Sequence, residues 1–270
     1  MKTLLTAALC AAACLPLQAR AAEDAALQAA IAASHRTPAF VARDAARHPY
    51  ETLRFFGIKP NMTVVELSPG AGWYTEILAP YLRDKGQLIL AAGDPDSTEP
   101  GDVRTAERLS QKFASAPAVY DRVKVGAFKV PAKLSYAPRA SADLVLTFRN
   151  VHNWINIGDE ALPAVFKSAF DALKSGGSFG VVEHRLPEQR VQDSKASTGY
   201  VHTRYIVSVA EKAGFKLAAS SEVNANPKDD ADHEGGVWAL PPTLANKDKD
   251  REKYLAIGES DRMTLRFVKP

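Results

Sequence analysis

The sequence has almost no cysteine: two in 270 residues, Cys10 and Cys14, both close to the start. Lys2 forms a short basic region, Leu4 to Leu17 an apolar stretch rich in Ala and Leu, and Ala19-Arg20-Ala21 a small-x-small cleavage site. That order is the pattern of a secretory signal peptide over residues 1–21, and the expected destination is the periplasm. Its removal takes both cysteines away, so the mature chain can hold neither a disulfide nor a thiolate metal site. An alternative makes Cys14 a lipid-modified first residue, because Ala11-Ala12-Ala13 before it are small. A second long apolar run is lacking too. The leader's stretch falls short of the ~20 residues a membrane span needs, and nothing later is long and apolar enough. Nor is there an excess of charge. Without Lys2 and Arg20 the 34 basic residues become 32 against 31 acidic, leaving +1. Such a balance provides no general attraction to nucleic acid or to an anionic membrane; a small-molecule substrate is the expected partner.

What is present is a core. Hydrophobic residues make up 46% of the chain and charged residues 24%, as in an ordinary globular domain. Residues 22–60 read as a helical cap, with Thr37-Pro38 as a helix start and a charge-laced pattern from Phe40 to Phe56 that could also cover a ligand site. From residue 61 onward, apolar runs alternate with helical periodicity. Strands are expected at Thr63–Leu67, Gln87–Ala92, Val123–Phe128, Asp143–Phe148, Ser178–Glu183 and Phe215–Glu222. The helices expected between them predict a parallel sheet covered on both faces, an α/β fold. Pro80 is expected to kink the first of these helices, and Gly176-Gly177 to end the one before the fifth strand. The rhythm then breaks. Residues 224–260 form a polar insert, with a short strand expected at Val237–Leu240 and a helix at Asp248–Ile257. Met263 to Val268 reads as a last strand, reached without a regular crossover helix and therefore able to return antiparallel.

The most informative stretch is Glu66-Leu67-Ser68-Pro69-Gly70-Ala71-Gly72-Trp73. A buried strand runs into a Pro/Gly turn and then a helix. Gly70 and Gly72 lack Cβ, so a ligand can approach the main chain, and the helix start offers free N–H groups. Glu66 could accept hydrogen bonds from a ribose or an amine. A dinucleotide fingerprint would need a third glycine where Thr75 stands, and a P-loop would need Gly-Lys-Ser/Thr where the chain has Gly-Trp-Tyr. What still fits is a ligand with an amino-acid-like end and a ribose. Asp94, after the second strand, suits ribose hydroxyls.

Two other strand ends carry reactive groups. Arg149-Asn150-Val151-His152-Asn153-Trp154 follows the fourth strand; Asn150 could hold the ligand, His152 could act as a general base, and Trp154 could stack on a ring. Glu183-His184 ends the fifth strand and could form an acid/base pair. Asp229, Asp230, Asp232, His233 and Glu234 read more readily as a solvated loop than as hard-metal ligands, and no metal site is expected.

Taken together these residues resemble class I S-adenosylmethionine (SAM)-dependent methyltransferases. The similarity is greatest to an exported bacterial group of predicted methyltransferases, through Arg47-His48-Pro49, Phe55-Phe56-Gly57, Glu66 to Glu76, Arg149 to Trp154, Gly180 to Arg185, Asn224 to Pro227 and Ser260 to Met263. The resemblance implies a Rossmann-like, seven-stranded sheet, mostly parallel, with an antiparallel last strand. It implies SAM as cofactor, with Glu66, Ser68, Gly70, Ala71, Gly72 and Trp73 cradling its methionine end. Asp94 would lie near the ribose, and Asn150 and the loop after strand four near the sulfonium and acceptor. His152, Glu183 and His184 are the candidate catalytic residues. Ser68 stands where the broad class has its first glycine, and Ala92 where its ribose acid ends strand two. The alternative function is an exported ligand-binding protein that keeps this fold without the chemistry.

Overall fold

The computed structural model describes residues 25–94 and 96–270. The expected leader, with Cys10 and Cys14, lies outside the described residues. A seven-stranded sheet forms the centre, in the order β3-β2-β1-β4-β5-β7-β6. Its strands are β1 (Thr63–Leu67), β2 (Gln87–Ala91), β3 (Lys124–Gly126), β4 (Ala142–Phe148), β5 (Leu173–His184), β6 (Lys216–Ser221) and β7 (Arg262–Val268). β7 runs antiparallel to both β5 and β6, while β1 to β5 pair in parallel. The fold is therefore the Rossmann-like α/β sheet expected from the sequence, including its returning last strand.

Period-two alternation distributes the sheet's side chains to two apolar layers. Val64, Leu88, Leu90, Leu144 and Leu146 face a layer with Leu27, Leu53, Phe56, Ile77, Leu78 and Leu109. Val65, Leu67, Ile89, Ala91 and Val145 face the other, with Trp154, Phe166, Phe179, Ile206 and Phe267. The first layer is built by helical residues 25–31 (α1), the short α2 (Pro38–Val41) and α3 (Asp44–Arg47), α4 (Pro49–Phe56), α5 (Thr75–Leu82), α6 (Pro100–Ser115) and α7 (Pro117–Tyr120). The second is built by α8 (Val151–Ile157), α9 (Ala161–Ala172) and α10 (Thr203–Lys212). Both faces of β1 and β4 are covered, which is why these strands read as near-continuous apolar runs.

Two local expectations are corrected. Val237–Leu240 is not a strand: Gly236–Ala239 is a 3-10 turn, with Val237 buried against Leu186 and Tyr200, and Ala239 and Leu240 against Tyr254, rather than paired in the sheet. Gly176-Gly177 does not end a helix. It sits in an irregular stretch of β5, where pairing with β4 shifts register. Trp154 lies on α8, 3% exposed, packed edge-on against Phe128, and lines a cavity at the strand ends. Pro80 lies within α5, and the carbonyl it cannot reach is put to use. A proline has no N–H for the carbonyl four residues earlier; the Glu76 carbonyl is instead 2.8 Å from His35 Nε2.

The N-terminal segment and the 224–260 insert both fold over the carboxyl ends of the strands. Glu76, in the first turn of α5, fastens the cap: its carboxylate accepts from Thr37 N (2.9 Å), Thr37 Oγ1 (2.7 Å) and Lys112 Nζ (2.7 Å). The insert, with α11 at Arg251–Ile257, is more buried than its polarity suggests. Asn224 is 2% exposed and donates to Thr52 Oγ1 and Thr264 Oγ1, both at 3.0 Å. Asp229 is a buried acceptor for the Tyr200 hydroxyl, the Ala231 and Asp261 amides and His233 Nε2. Asp229 and His233 are thus parts of a packed network, not of a solvated loop.

Candidate active site

The turn from β1 to α5 departs from ordinary backbone at three places: Ser68 (φ 50°), Gly70 (φ 59°) and Gly72 (φ 82°). A serine in the left-handed region is strained, and it stands where the resemblance expects glycine. The two glycines have different surroundings. A Cβ on Gly70 would meet nothing within 4 Å, whereas one on Gly72 would come within 2.8 Å of the Lys112 side chain. Gly70 therefore fronts open space, and Gly72 is needed for packing against α6. Asn150 braces the turn from β4: its Nδ2 lies 3.2 Å from the carbonyls of Leu67 and Ser68 and 3.1 Å from Thr147 Oγ1.

Two cavities meet at this turn and share Ser68, Pro69, Gly70, Asn150 and Asn153. The smaller, about 290 Å³, runs toward the end of β2 and reaches Ala92, Gly93, Thr105 and Arg108. The larger, about 340 Å³, lies over the ends of β4 and β5 beneath the cap and the insert. Sites at the carboxyl ends of strands, near the reversal of strand order between β1 and β4, are where open α/β sheets bind ligands.

The expected binding residues divide between these spaces and the interior. Ser68, Gly70, Ala71, Trp73 and Asn150 line the larger cavity. Glu66 and Gly72 line neither. Glu66 is 2% exposed and accepts from Thr75 Oγ1 at 2.7 Å; burial, opposed by Thr75 and Lys112, pushes its carboxyl up to about 7. It supports the turn from beneath instead of facing a ligand. Asp94 is also committed elsewhere, to Lys133 Nζ at 2.7 Å, and that bond holds its carboxyl below the usual range. Its neighbour Gly93 lines the smaller cavity. Trp73 donates from Nε1 to the Phe40 carbonyl (3.0 Å), and the Arg47 guanidinium lies 4.8 Å from the indole centre.

The expected acid/base pair of Glu183 with His184 is not the one formed. Glu183 instead pairs with His152, whose Nδ1 is 3.0 Å from Oε1. The carboxylate, fully buried, also accepts from the backbone N–H groups of Val151 (2.6 Å) and His184 (2.8 Å). With Glu183 accepting at Nδ1, the tautomer protonated there is the one selected, and Nε2 is left as the nitrogen with a free lone pair. His184 bonds through Nδ1 to Ser260 Oγ at 2.5 Å. Burial first, then the charges of His152, Arg149, Arg262 and Arg47, push its imidazole well below the usual range, so it stays neutral. Ligand atoms of His152, Glu183 and His184 lie within 4.8 Å of one another. The amide donors to Glu183 and the neighbouring arginines disfavour a divalent cation there.

The sequence reading missed the arginines. Arg43, Arg47 and Arg149 line the larger cavity beside Glu259, with Arg262 behind them. Glu259 accepts from Arg43 Nε (2.6 Å) and lies 3.4 Å from Arg47 Nε and 3.3 Å from Arg262 Nη1. Burial raises its carboxyl, but the three arginines outweigh it and hold it at about 2. The available signal was the pair of motifs Arg47-His48-Pro49 and Ser260-Asp261-Arg262, more than 200 residues apart in the chain.

No family model matches the sequence, and no curated protein matches it. Solved structures do match. A SAM-dependent methyltransferase from Aquifex aeolicus aligns over 84% of this chain and 93% of its own, with 14% identity and a TM-score of 0.53. Geranyl diphosphate C-methyltransferase from Streptomyces coelicolor A3(2), solved with Mg2+, geranyl diphosphate and S-adenosyl-L-homocysteine, aligns over 85% and 81%, with 10% identity and a TM-score of 0.56. The cyclase SpnF aligns over 84% and 81%, with 14% identity and a TM-score of 0.53. The chain has the fold of these proteins.

Proposed function

We propose that this protein is a SAM-dependent methyltransferase that acts on a small-molecule acceptor, belongs with the exported bacterial group that its motifs resemble, and works in the periplasm. The observation that carries the reading is the pair of cavities meeting at the Ser68–Gly70 turn, with the His152–Glu183 pair on the wall of the larger one. The residues present fit SAM. Gly70 leaves open the space that a Cβ would enter, and Ser68, Gly70, Ala71 and Asn150 are placed to hold its methionine part. Ala92, Gly93, Thr105 and Arg108 surround space for the nucleoside.

When bound, SAM supplies a methyl group already activated on a sulfonium, so the protein's task is alignment and proton removal. His152 accepts the acceptor's proton at Nε2. Glu183 holds the Nδ1 proton and stabilises the imidazolium that results. Trp238, Pro241 and Pro242 from the insert wall the cavity against water.

The test is calorimetric titration of the leader-free chain with SAM and S-adenosyl-L-homocysteine. Binding of either supports the reading, and no binding at millimolar concentration overturns it. A second reading, a ligand-binding protein without transfer chemistry, is favoured by one observation: Asp94, the expected ribose acid, is bound to Lys133. SAM binding with no methyl transfer to any acceptor in a radiolabelled-methyl screen would favour it. An intact N-terminus on the native protein would refute export.

A further inference from the structure

Arg47 is 2% exposed and lines the larger cavity, yet neither of its Nη atoms has a hydrogen-bond partner among the described residues. Its single ionic contact is the 3.4 Å approach of Nε to Glu259, a carboxylate it shares with Arg43 and Arg262. Trp73, against the face of the guanidinium, fixes its plane but satisfies no N–H. Arg149, half-buried at the end of β4, lines the same cavity and has no side-chain hydrogen bond or ion pair among the described residues. Its backbone is held in the left-handed region at φ 61°, a strained conformation that turns the chain at the cavity wall. Three guanidinium groups thus share one carboxylate, and a fourth lies on the wall of the same cavity without one.

A buried cation left without partners, as at the Nη groups of Arg47, is unfavourable unless something completes it, and half-buried Arg149 adds donors open to the same cavity. The strain shows in both groups: burial and mutual repulsion lower Arg47 to about 8 and Arg149 to about 10. Arg262, by contrast, has carbonyl partners at Ser260 and Ala46, and Arg43 has Glu259. The unmet donors are therefore those of Arg47 and Arg149. A planar fork with two free Nη groups matches the oxygens of a carboxylate or phosphate.

We infer that Arg47 and Arg149 form an oxyanion subsite in the larger cavity, and that it receives a carboxylate or phosphate group carried by the acceptor. The word acceptor rests on the donor assignment made above; the subsite itself does not. His152 lines the same cavity, so one small molecule can place its anionic group on the arginines and its nucleophile at Nε2. An anion there also offsets the repulsion these arginines would exert on a sulfonium cation.

The alternative source of the oxyanion is the cofactor's own amino-acid carboxylate, and the experiment separates the two. Inorganic phosphate and benzoate are titrated into the leader-free protein, alone and saturated with S-adenosyl-L-homocysteine. The expected result is anion binding that persists in the saturated protein. Arg149→Met and Arg47→Lys should each weaken it by about tenfold or more, a loss of ~1.4 kcal/mol, with homocysteine-nucleoside affinity within about twofold of the parent. Arg47→Lys keeps the charge beside Glu259 and removes the fork, which guards against misfolding; circular dichroism verifies this. Anions that compete with S-adenosyl-L-homocysteine, but not with 5′-methylthioadenosine, would assign the subsite to the cofactor and overturn the acceptor assignment. Absence of anion binding in both states would overturn the subsite. Anion binding without any nucleoside binding would uphold the subsite and remove the donor reading instead.

Discussion

His152 Nδ1 lies 3.0 Å from Glu183 Oε1, and the carboxylate that orients this imidazole is held by the amides of Val151 and His184. The pair therefore joins the ends of β4 and β5 into one rigid unit on the cavity wall. Glu183→Gln replaces the two acceptor oxygens with an amide that can turn an N–H toward those donors. Methyl transfer should fall by about 100-fold or more, with SAM affinity retained, as steady-state kinetics and calorimetry on the same variant would reveal. Equal loss of both would mean that Glu183 only maintains the fold.

Gly70 and Gly72 should separate binding from stability. Gly70→Asn, a residue that tolerates the left-handed backbone at φ 59°, places a side chain in open cavity space and should weaken SAM by roughly tenfold or more. Gly72→Val drives into Lys112 and strains the Lys112–Glu76 pair, so it should lower the melting temperature. The reverse assignment in paired melting and binding measurements would refute this division.

Glu66 should make stability depend on pH. Its folded carboxyl is raised from 4.5 to about 7. The folded state therefore holds this proton more tightly than the unfolded one, and the contribution is complete below pH 4.5 and lost as pH rises through about 7. The loss is of order 3 kcal/mol. Glu66→Gln still accepts from Thr75 and should be more stable than the parent at pH 8, the gap closing by pH 4.5. Urea unfolding at the two pH values measures it.

Glu259 has the opposite sign. Its folded carboxyl lies at about 2, so its stabilisation is present above pH 4.5 and disappears as pH falls toward 2. Glu259→Gln leaves Arg43, Arg47 and Arg262 without their shared partner and should cost about 3–5 kcal/mol, as when a buried pair loses one member. Because Arg43 and Arg47 belong to the cap and Arg262 to β7, cleavage within residues 25–60 by a dilute protease should accelerate. An unchanged cleavage pattern would mean that Glu76, not Glu259, secures the cap.

Much of the fold was legible because it is written in local periods. Val64, Val65 and Leu67 announced a strand covered on both faces, and the turn after it needed only Pro69, Gly70 and Gly72. Val237–Leu240 was misread because a short apolar run between Gly and Pro residues has the composition of a strand; burial of Val237 against Tyr200 and of Leu240 against Tyr254, not pairing, is what it satisfies. His152 and Glu183 were each recognisable as strand-end groups. Their partnership was not, because it depends on the parallel registration of β4 with β5.

By itself, the sequence determined the order of strands and helices and the position of the glycine turn; that the last strand could return antiparallel was legible, and its pairing with β5 and β6 decided it. Alternating burial and backbone conformational limits are properties of neighbours along the chain, and those sufficed. Only the tertiary structure decided which charges meet. Arg43, Arg47, Arg149, Glu259 and Arg262 come from three separate regions, and their unequal pairing arises when the cap and the insert close over the strand ends. Burial there cuts the two Nη groups of Arg47 off from water, and this is the observation on which the proposed oxyanion subsite rests.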